Sequence, residues 1–222
     1  LHCDAVAAAG KVPVDVRALG CDLLSLSGHK LYAPKGVGLL YVRRGAFSEG
    51  TPERQACGQA APALPPLIHG CGQQAGMRSG TENTAGIVAL ARAFERLEEG
   101  AYDHQRLERL RDRLWAGLQV LEPACQRNGT GACLPNTLSV AFPGHSGASL
   151  QQALGRLGFS VAAGAAATNG AASHVLLAMG LGEERARSTL RFSLGAFHQE
   201  ADVERLLEAV GAALRPSAEA IR

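Results

Sequence analysis

The stretch Ser25-Leu-Ser-Gly-His-Lys30 carries an apolar run into a glycine and then into an imidazole and an amine. The run from Cys21 to Ser27 predicts a short buried strand, and Gly38 to Val42 predicts the next one. An earlier strand is predicted to end at Asp4. Ligands in α/β sheets bind beyond the carboxyl ends of the strands. The stretch therefore indicates an α/β fold with a ligand site at Lys30, although a surface lysine on a turn explains these residues equally well.

Apolar runs and helical patterns alternate along the rest of the chain, which favours an α/β architecture. Helices are predicted at 81–99, 102–121, 150–157, 173–179 and 200–214, and further strands at 135–142, 159–161 and 190–194. Residues 48–66 are rich in glycine, proline, alanine and glutamine, which predicts an exposed insertion loop. The pattern changes near Gly100, so we expect one domain at residues 1–99 and a smaller α+β domain at 100–222.

The composition argues against several classes of partner. A formal net charge of +2 on 222 residues gives no basic excess that would attract nucleic acid or an anionic membrane. No run approaches the ~18 consecutive apolar residues that a membrane-spanning helix needs. The six cysteines lack the spacing typical of zinc sites, which predicts free thiols in a reducing compartment and no bound metal. We expect a cytoplasmic protein, with a mitochondrial location as the alternative.

Five signatures occur in order along the chain. They are His2-Cys-Asp4-Ala, Ser27-Gly-His-Lys30, Pro34-Lys-Gly-Val-Gly, Gly76-Met-Arg-Ser-Gly-Thr81-Glu-Asn and Leu190-Arg191-Phe-Ser-Leu-Gly. With these motifs the chain resembles the cysteine desulfurase and selenocysteine lyase family, whose members are homodimeric fold-type I pyridoxal-phosphate enzymes. The resemblance implies the C-terminal part of the large cofactor domain plus a small α+β C-terminal domain. The start, which has no initiator methionine, agrees with a missing N-terminal portion.

The resemblance also implies roles for the residues around the first strand ends. Lys30 would carry pyridoxal 5′-phosphate as a Schiff base, which requires a neutral amine. Asp4 would face the pyridine nitrogen and keep it protonated, although a lone strand-end aspartate is more often a solvated side chain. Ser27 and His29 match positions that donate hydrogen bonds to the cofactor phosphate.

Two further roles implied by the resemblance fall outside this stretch. Thr81 matches a residue that reaches the cofactor phosphate of the other subunit of a dimer, and it is also predicted to cap the helix that it begins. Arg191, on a predicted strand, matches the arginine that binds the α-carboxylate of the substrate through two parallel N–H donors. A structural arginine paired with Glu184 or another local acid is the alternative.

The chain departs from the family pattern at the loop where desulfurases carry a nucleophilic cysteine. Aligning the loop from Val161 places Ala167 at that position, and aligning back from Ser173 places Ala165 there. Neither side chain can take sulfur from a substrate. Cys71 is the best substitute thiol, although a cysteine acting as a small apolar residue explains it more simply.

Two more positions differ from the family pattern. Ala7 stands in place of a glutamine that bonds to the phenolic oxygen of the cofactor, and Ala75 in place of an arginine of the glycine-rich loop.

The function implied by the resemblance is removal of sulfur or selenium from L-cysteine or L-selenocysteine to give L-alanine. A homodimer and a sulfur- or selenium-acceptor protein are the expected partners. The missing loop thiol argues against a persulfide step and favours selenocysteine, since selenium leaves more readily. An aminotransferase or another carbon–sulfur lyase of the same fold is one alternative. A degenerate, non-catalytic copy that binds the cofactor weakly or not at all is another.

Overall fold

The computed structural model describes residues 1–46, 64–163 and 172–215. The chain divides into two compact units, Leu1–Tyr102 and Asp103–Arg222. Most of the insertion loop predicted at 48–66 lies outside the described residues. No helix in the described part of the chain is both long and apolar enough to cross a membrane.

The first unit is built on a three-stranded sheet with the order β1-β2-β3. Strand β1 (His2–Asp4) runs parallel to β2 (Leu23–Ser27), and β3 (Gly38–Val42) runs antiparallel to β2. Successive side chains of a strand point to opposite faces. Leu24 is buried on one face, where Cys3, Leu26 and Tyr41 pack around Ala5 and Cys21. The other face carries the polar side chains of β1 and β2, which are His2, Asp4, Ser25 and Ser27.

Two helices complete the first unit. The short α1 (Val16–Leu19) is capped by Asp15, and α2 (Thr84–Glu98) is capped by Asn83, whose side chain accepts the amide hydrogen of Gly86 at 3.0 Å. Buried residues of α2 form a cluster with those of the chain around the Lys30 turn; the members are Ala9, Leu31, Ala33, Leu90 and Ala93. The prediction that Thr81 caps this helix is therefore wrong, because Thr81 lies two residues before the cap.

The second unit has an antiparallel sheet with the order β4-β5-β7-β6. Its strands are β4 (Gln126–Arg127), β5 (Thr137–Ala141), β6 (Ala162–Ala163) and β7 (Thr189–Ser193). Its helices are α3 (His104–Leu121), α4 (Gly147–Arg156), α5 (His174–Ala178), α6 (Glu183–Arg187) and α7 (Glu200–Leu214). Four leucines of α3 recur every three or four residues and are buried, as are Val203 and Val210 of α7; they are Leu107, Leu110, Leu114 and Leu118.

The α/β class is confirmed in the first unit by strands that alternate with helices. The strand predicted at 159–161 is wrong: β6 begins at Ala162, and the amide of Phe159 instead donates to the carbonyl of Leu154 at the end of α4. The predicted assignment of residues 1–99 to a larger cofactor-binding domain stays a prediction.

Candidate functional site

The parallel pairing of β1 with β2 places the predicted site residues of the first unit at one edge of the sheet. Asp4 lies opposite Ser25 in the register, and both strands end within two residues of that pair. Lys30 follows in a 3₁₀ turn, Gly28–Leu31, directly after β2. The prediction that Asp4 and Lys30 lie at the carboxyl ends of strands is confirmed, and the strands are neighbours. The prediction that these strands are buried is wrong for this chain, because Leu24 is the one buried residue of β1 and β2.

The Lys30 turn is fixed by close packing beneath it. The amide of Gly28 donates to the carbonyl of Val37 at 2.9 Å. A Cβ atom on Gly28 would lie 2.9 Å from the Val37 side chain and 3.0 Å from its carbonyl oxygen, so only glycine fits. Leu31 is 2 % exposed, whereas Lys30 is exposed. One side of the turn therefore anchors it in the core while the amine is free to meet a ligand.

Ser27 and His29 form a pair of hydrogen-bonding groups beside this turn. The Ser27 Oγ and His29 Nδ1 atoms are 2.8 Å apart. If the hydroxyl donates to Nδ1, the other ring nitrogen of His29 keeps a free N–H. If Nδ1 donates, the hydroxyl hydrogen of Ser27 stays free. In either tautomer one donor remains available to an anion.

These two side chains line an open cavity of about 480 Å³ together with Lys35, Gly36 and Gly38. Lys35 adds a positive charge, and the two glycines leave backbone accessible. The sequence motif Pro34-Lys-Gly-Val-Gly contains these residues, but a motif alone does not show that they face Ser27 and His29. The arrangement suits a phosphate group, because it combines a cation with neutral donors.

Asp4 and its neighbours give the sheet face a second polar group. One oxygen of Asp4 accepts the amide hydrogen of Val6 at 2.9 Å, which holds the carboxylate in place. His2 Nε2 and Ser25 Oγ are 2.8 Å apart on the same face. His2 and Ser25 were not singled out from the sequence, although the alternation of residues along β1 and β2 was the signal that could have found them.

Lys11 is a further residue that the sequence did not single out. Burial of its ammonium group, and next the positive charge of Lys30, lower the pKa of Lys11 from its usual 10.5. Its Nζ lies 3.4 Å from the carbonyl oxygen of Ala9. Lys11 and Lys30 therefore concentrate two positive charges in one part of the unit, which favours an anionic ligand there.

The other described residues of the first unit that were named from the sequence do not line the cavity beside Ser27 and His29. Thr81 is exposed, and its phosphate role stays a prediction. Cys71 is exposed and its thiol is free. Its backbone carbonyl accepts a hydrogen bond from the hydroxyl of Ser79 at 3.0 Å. Ala75 has a left-handed backbone with φ of 55°, and Ala7 is exposed. Ala165 and Ala167 lie outside the described residues.

Arg191 belongs to the second unit. It lies on β7, opposite Ser139 of β5 and Ala162 of β6, and its side chain is exposed. The alternative pairing with Glu184 is not observed, since no residue in the described part of the chain forms an ion pair or hydrogen bond with Arg191. The guanidinium therefore keeps its full set of donors for a ligand.

A cavity of about 320 Å³ adjoins Arg191, with apolar residues on one part of its wall and hydrogen-bonded polar side chains on another. The side-chain amide of Asn128 donates to Ser139 at 3.2 Å and to Thr189 at 3.0 Å. Arg185 donates in turn to the amide oxygen of Asn128 at 2.8 Å. His174 also lines the cavity. These contacts join residues far apart in the sequence, so no local pattern could have revealed them.

Comparison with known proteins gives consistent matches. A sequence model of the aminotransferase class-V family matches residues 1–206. A cysteine desulfurase IscS of Clostridium botulinum (strain Hall) is 39% identical over 213 residues, which cover 93% of this chain and 50% of the relative. A solved NifS-like protein superposes with a TM-score of 0.76 at 37% identity, over 96% of this chain and 52% of that one.

A third match is a structure described as SspA in complex with cysteine. It superposes with a TM-score of 0.62 at 32% identity, covering 89% of this chain and 51% of that one. The chain thus spans about half the length of the relatives that it matches. Because the family model covers nearly the whole chain and the same region superposes on solved members, the chain belongs to the aminotransferase class-V family.

Proposed function

We propose that this chain is part of a pyridoxal-phosphate-dependent enzyme of the cysteine desulfurase or selenocysteine lyase type, with Lys30 as the residue that binds the cofactor. Enzymes of this family depend on pyridoxal phosphate in general. The observation that carries the proposal is the placement of Lys30, Asp4 and the Ser27–His29 pair at or directly after the carboxyl ends of two adjacent parallel strands.

The side chains present fit this cofactor chemically. The cavity beside Ser27 and His29 offers hydrogen-bond donors and the charge of Lys35, as a phosphate requires. Asp4 offers a carboxylate, of which one oxygen is held by the amide of Val6, to accept a hydrogen bond from a ring N–H. Lys30 offers an exposed primary amine on a rigid turn. The phosphate, the pyridine nitrogen and the aldehyde of the cofactor therefore each have a chemically suitable partner, whereas the alanine at position 7 offers no hydrogen bond to the phenolic oxygen.

When bound, pyridoxal phosphate supplies an electron sink that stabilises negative charge at the α-carbon of an amino acid. The residues of the chain then have separate tasks. Asp4 would hold a proton on the pyridine nitrogen, and Lys30 would remove or return the proton at the α-carbon. Arg191 would donate two parallel hydrogen bonds to the α-carboxylate, which would fix the orientation of the substrate. The exposed donors of Arg191 support this last task.

The proposed substrates are L-cysteine and L-selenocysteine, with L-alanine as the product. The names of the similar proteins, cysteine desulfurase and a complex with cysteine, support this class. Ala165 and Ala167 stand where a nucleophilic cysteine is expected, so we propose slow sulfur removal and a preference for selenocysteine. The proposal includes a homodimer, a protein that accepts sulfur or selenium, and a cytoplasmic location.

Cofactor binding is tested by adding pyridoxal phosphate to the natural full-length protein and recording its visible absorbance. We expect a protein-bound band that Lys30→Ala abolishes. Lys35→Ala is the matched control, because it removes a lysine five residues away and should weaken affinity while keeping the band. An unchanged spectrum in Lys30→Ala would contradict the assignment. A wild-type protein without any band would favour the degenerate, non-catalytic alternative.

The substrate is tested by product identification. Alanine released from cysteine and from selenocysteine is compared for the wild type and for Ala165→Cys and Ala167→Cys, since the two alignments differ. We expect one cysteine variant to increase persulfide formation from cysteine. A normal rate of persulfide formation by the unmodified protein would show that the loop thiol is not needed. Transfer of the amino group without alanine release would favour the aminotransferase alternative.

A further inference from the structure

The residue that closes the Lys30 turn has an unusual backbone conformation. Tyr32 has φ of 65° and ψ of 15°, which is left-handed, and its amide donates to the carbonyl of Gly28. Glycine commonly occupies such a position, because a Cβ atom is disfavoured there. A tyrosine in this conformation indicates that its ring makes contacts that compensate for the strain.

The ring of Tyr32 stacks on Tyr102, the last residue of the first unit. The ring centroids are 5.4 Å apart and the ring planes meet at 28°. This offset arrangement is one that aromatic pairs prefer. The side chain of Tyr32 therefore has a defined partner about seventy residues away in the sequence.

Tyr102 also contacts the backbone of Lys30, the proposed cofactor-binding residue. Its hydroxyl donates to the carbonyl oxygen of Lys30 at 3.5 Å, the long end of the hydrogen-bond range. Burial, followed by the nearby Tyr32 hydroxyl, raises the pKa of Tyr102 well above its usual 10. The phenol consequently stays protonated, and remains a donor, throughout the pH range in which the protein would work.

The Lys30 turn is thus held from two sides. Leu31 fixes it from the core, where it packs with Ala9 and Leu90. Tyr102 holds the exposed side by stacking on Tyr32 and bonding to the Lys30 carbonyl. The Lys30 carbonyl and the next two residues of the chain are thus all held in place, so the direction of the amine depends on both contacts.

We propose that Tyr102, acting through Tyr32, is a positioning residue that orients Lys30 toward its ligand. The inference rests on the proposed function, because it assigns the orientation to a lysine that binds pyridoxal phosphate. Neither tyrosine need touch the cofactor. Their effect is to keep the turn in one conformation, so that the amine meets the cofactor without a prior rearrangement.

The first measurement needs no cofactor. Amide hydrogen exchange of Tyr32 and Ala33, which both donate to the carbonyl of Gly28, reports whether the turn is closed. We expect about tenfold faster exchange in Tyr102→Ala, and a smaller increase in Tyr102→Phe, which keeps the stack and loses the hydroxyl. Tyr41→Phe, on β3 and remote from the turn, is the control and should exchange as the wild type does.

The second measurement is a titration of the same proteins with pyridoxal phosphate. We expect the Kd to rise about tenfold in Tyr102→Ala. The pH midpoint of the bound cofactor's visible absorbance should also move, because that midpoint reports the environment of the nitrogen that Lys30 contributes. Tyr32→Gly removes the ring while relieving the left-handed strain, so it should show the same changes without a lower melting temperature.

The outcomes separate the two proposals. A wild type without a Lys30-dependent band would overturn the proposed function and this inference with it. A normal wild-type band with an unchanged Kd and pH midpoint in Tyr102→Ala would overturn the inference alone, even if exchange were faster. In that case the pair would only pack the surface of the unit.

Discussion

Gly28 is the residue on which the shape of the Lys30 turn depends. A Cβ atom there would press against both the side chain and the carbonyl of Val37. We expect Gly28→Ala to lower the free energy of unfolding by about 1–3 kcal/mol, as overpacking does. Gly155→Ala is the control: its Cβ would meet nothing within 4 Å, so this helical position should gain about 0.5 kcal/mol. Urea unfolding of both variants measures the difference, and equal effects would contradict the steric argument.

Lys11 makes a residue-scale prediction about pH. Because burial and Lys30 lower its pKa in the folded state, the unfolded chain holds this proton more tightly than the folded one does. The free energy of unfolding is therefore reduced at neutral pH and recovers as pH rises from the lowered pKa toward 10.5, where the unfolded lysine also loses its proton.

We expect Lys11→Met to stabilise the protein at neutral pH, with an advantage that shrinks as pH approaches 10.5. Urea unfolding across that range measures it. Lys35→Met, which removes an exposed lysine of the same unit, is the control for loss of one positive charge. A constant difference between wild type and Lys11→Met at every pH would show that packing alone, and not the charge, is responsible.

At the scale of elements, long and strongly patterned segments were predictable from the sequence. Strand β3 and helix α7 begin and end at the predicted residues, because one is a compact apolar run and the other a sustained amphipathic pattern. The missed elements, α1, β4 and α6, span two to five residues, too few to establish a period. Phe159 was apolar enough for a strand, but its amide closes the end of α4.

The start of α2 shows why a cap could not be chosen from the sequence. Thr81, Asn83 and Thr84 are all residues that favour helix caps, so composition alone fits three starting points. The structure selects Asn83, whose side chain reaches the amide of Gly86. Which of these residues becomes the cap depends on the path of the preceding glycine-rich loop, and tertiary packing determines that path.

Because Asn83 caps α2, the helix cap and the proposed phosphate contact of Thr81 belong to different residues and can be tested separately. We expect Asn83→Ala to lower the free energy of unfolding by about 1 kcal/mol through loss of the cap. Thr81→Ala should leave stability unchanged and raise the Kd for pyridoxal phosphate, if the hydroxyl binds phosphate. Thermal unfolding and cofactor titration of both variants test the pair. Destabilisation by Thr81→Ala with unchanged cofactor affinity would contradict the assignment.

At the scale of the whole molecule, the sequence predicted which residues follow strand ends but not what surrounds them. Asp4 and Lys30 could be placed because strand ends are local features. Three arrangements join residues from different elements: the cavity that Ser27 lines with Lys35, the Asn128 network near Arg191, and the Tyr32–Tyr102 stack. The local sequence pattern therefore predicted which side chains belong to the candidate site. The contacts that orient these side chains come from tertiary packing and could not be predicted.

The proposed homodimer gives a test in which two defective chains restore each other. If Thr81 serves the partner's phosphate, each site combines Lys30 of one subunit with Thr81 of the other. Mixing Lys30→Ala with Thr81→Ala subunits would then create one site lacking both groups and one intact site per mixed dimer. We expect the mixture to regain a fraction of sites with wild-type cofactor affinity, measured by visible absorbance after the subunits have exchanged. If Thr81 instead acted within its own subunit, every site would lack one group, and the mixture would bind no better than its separate components.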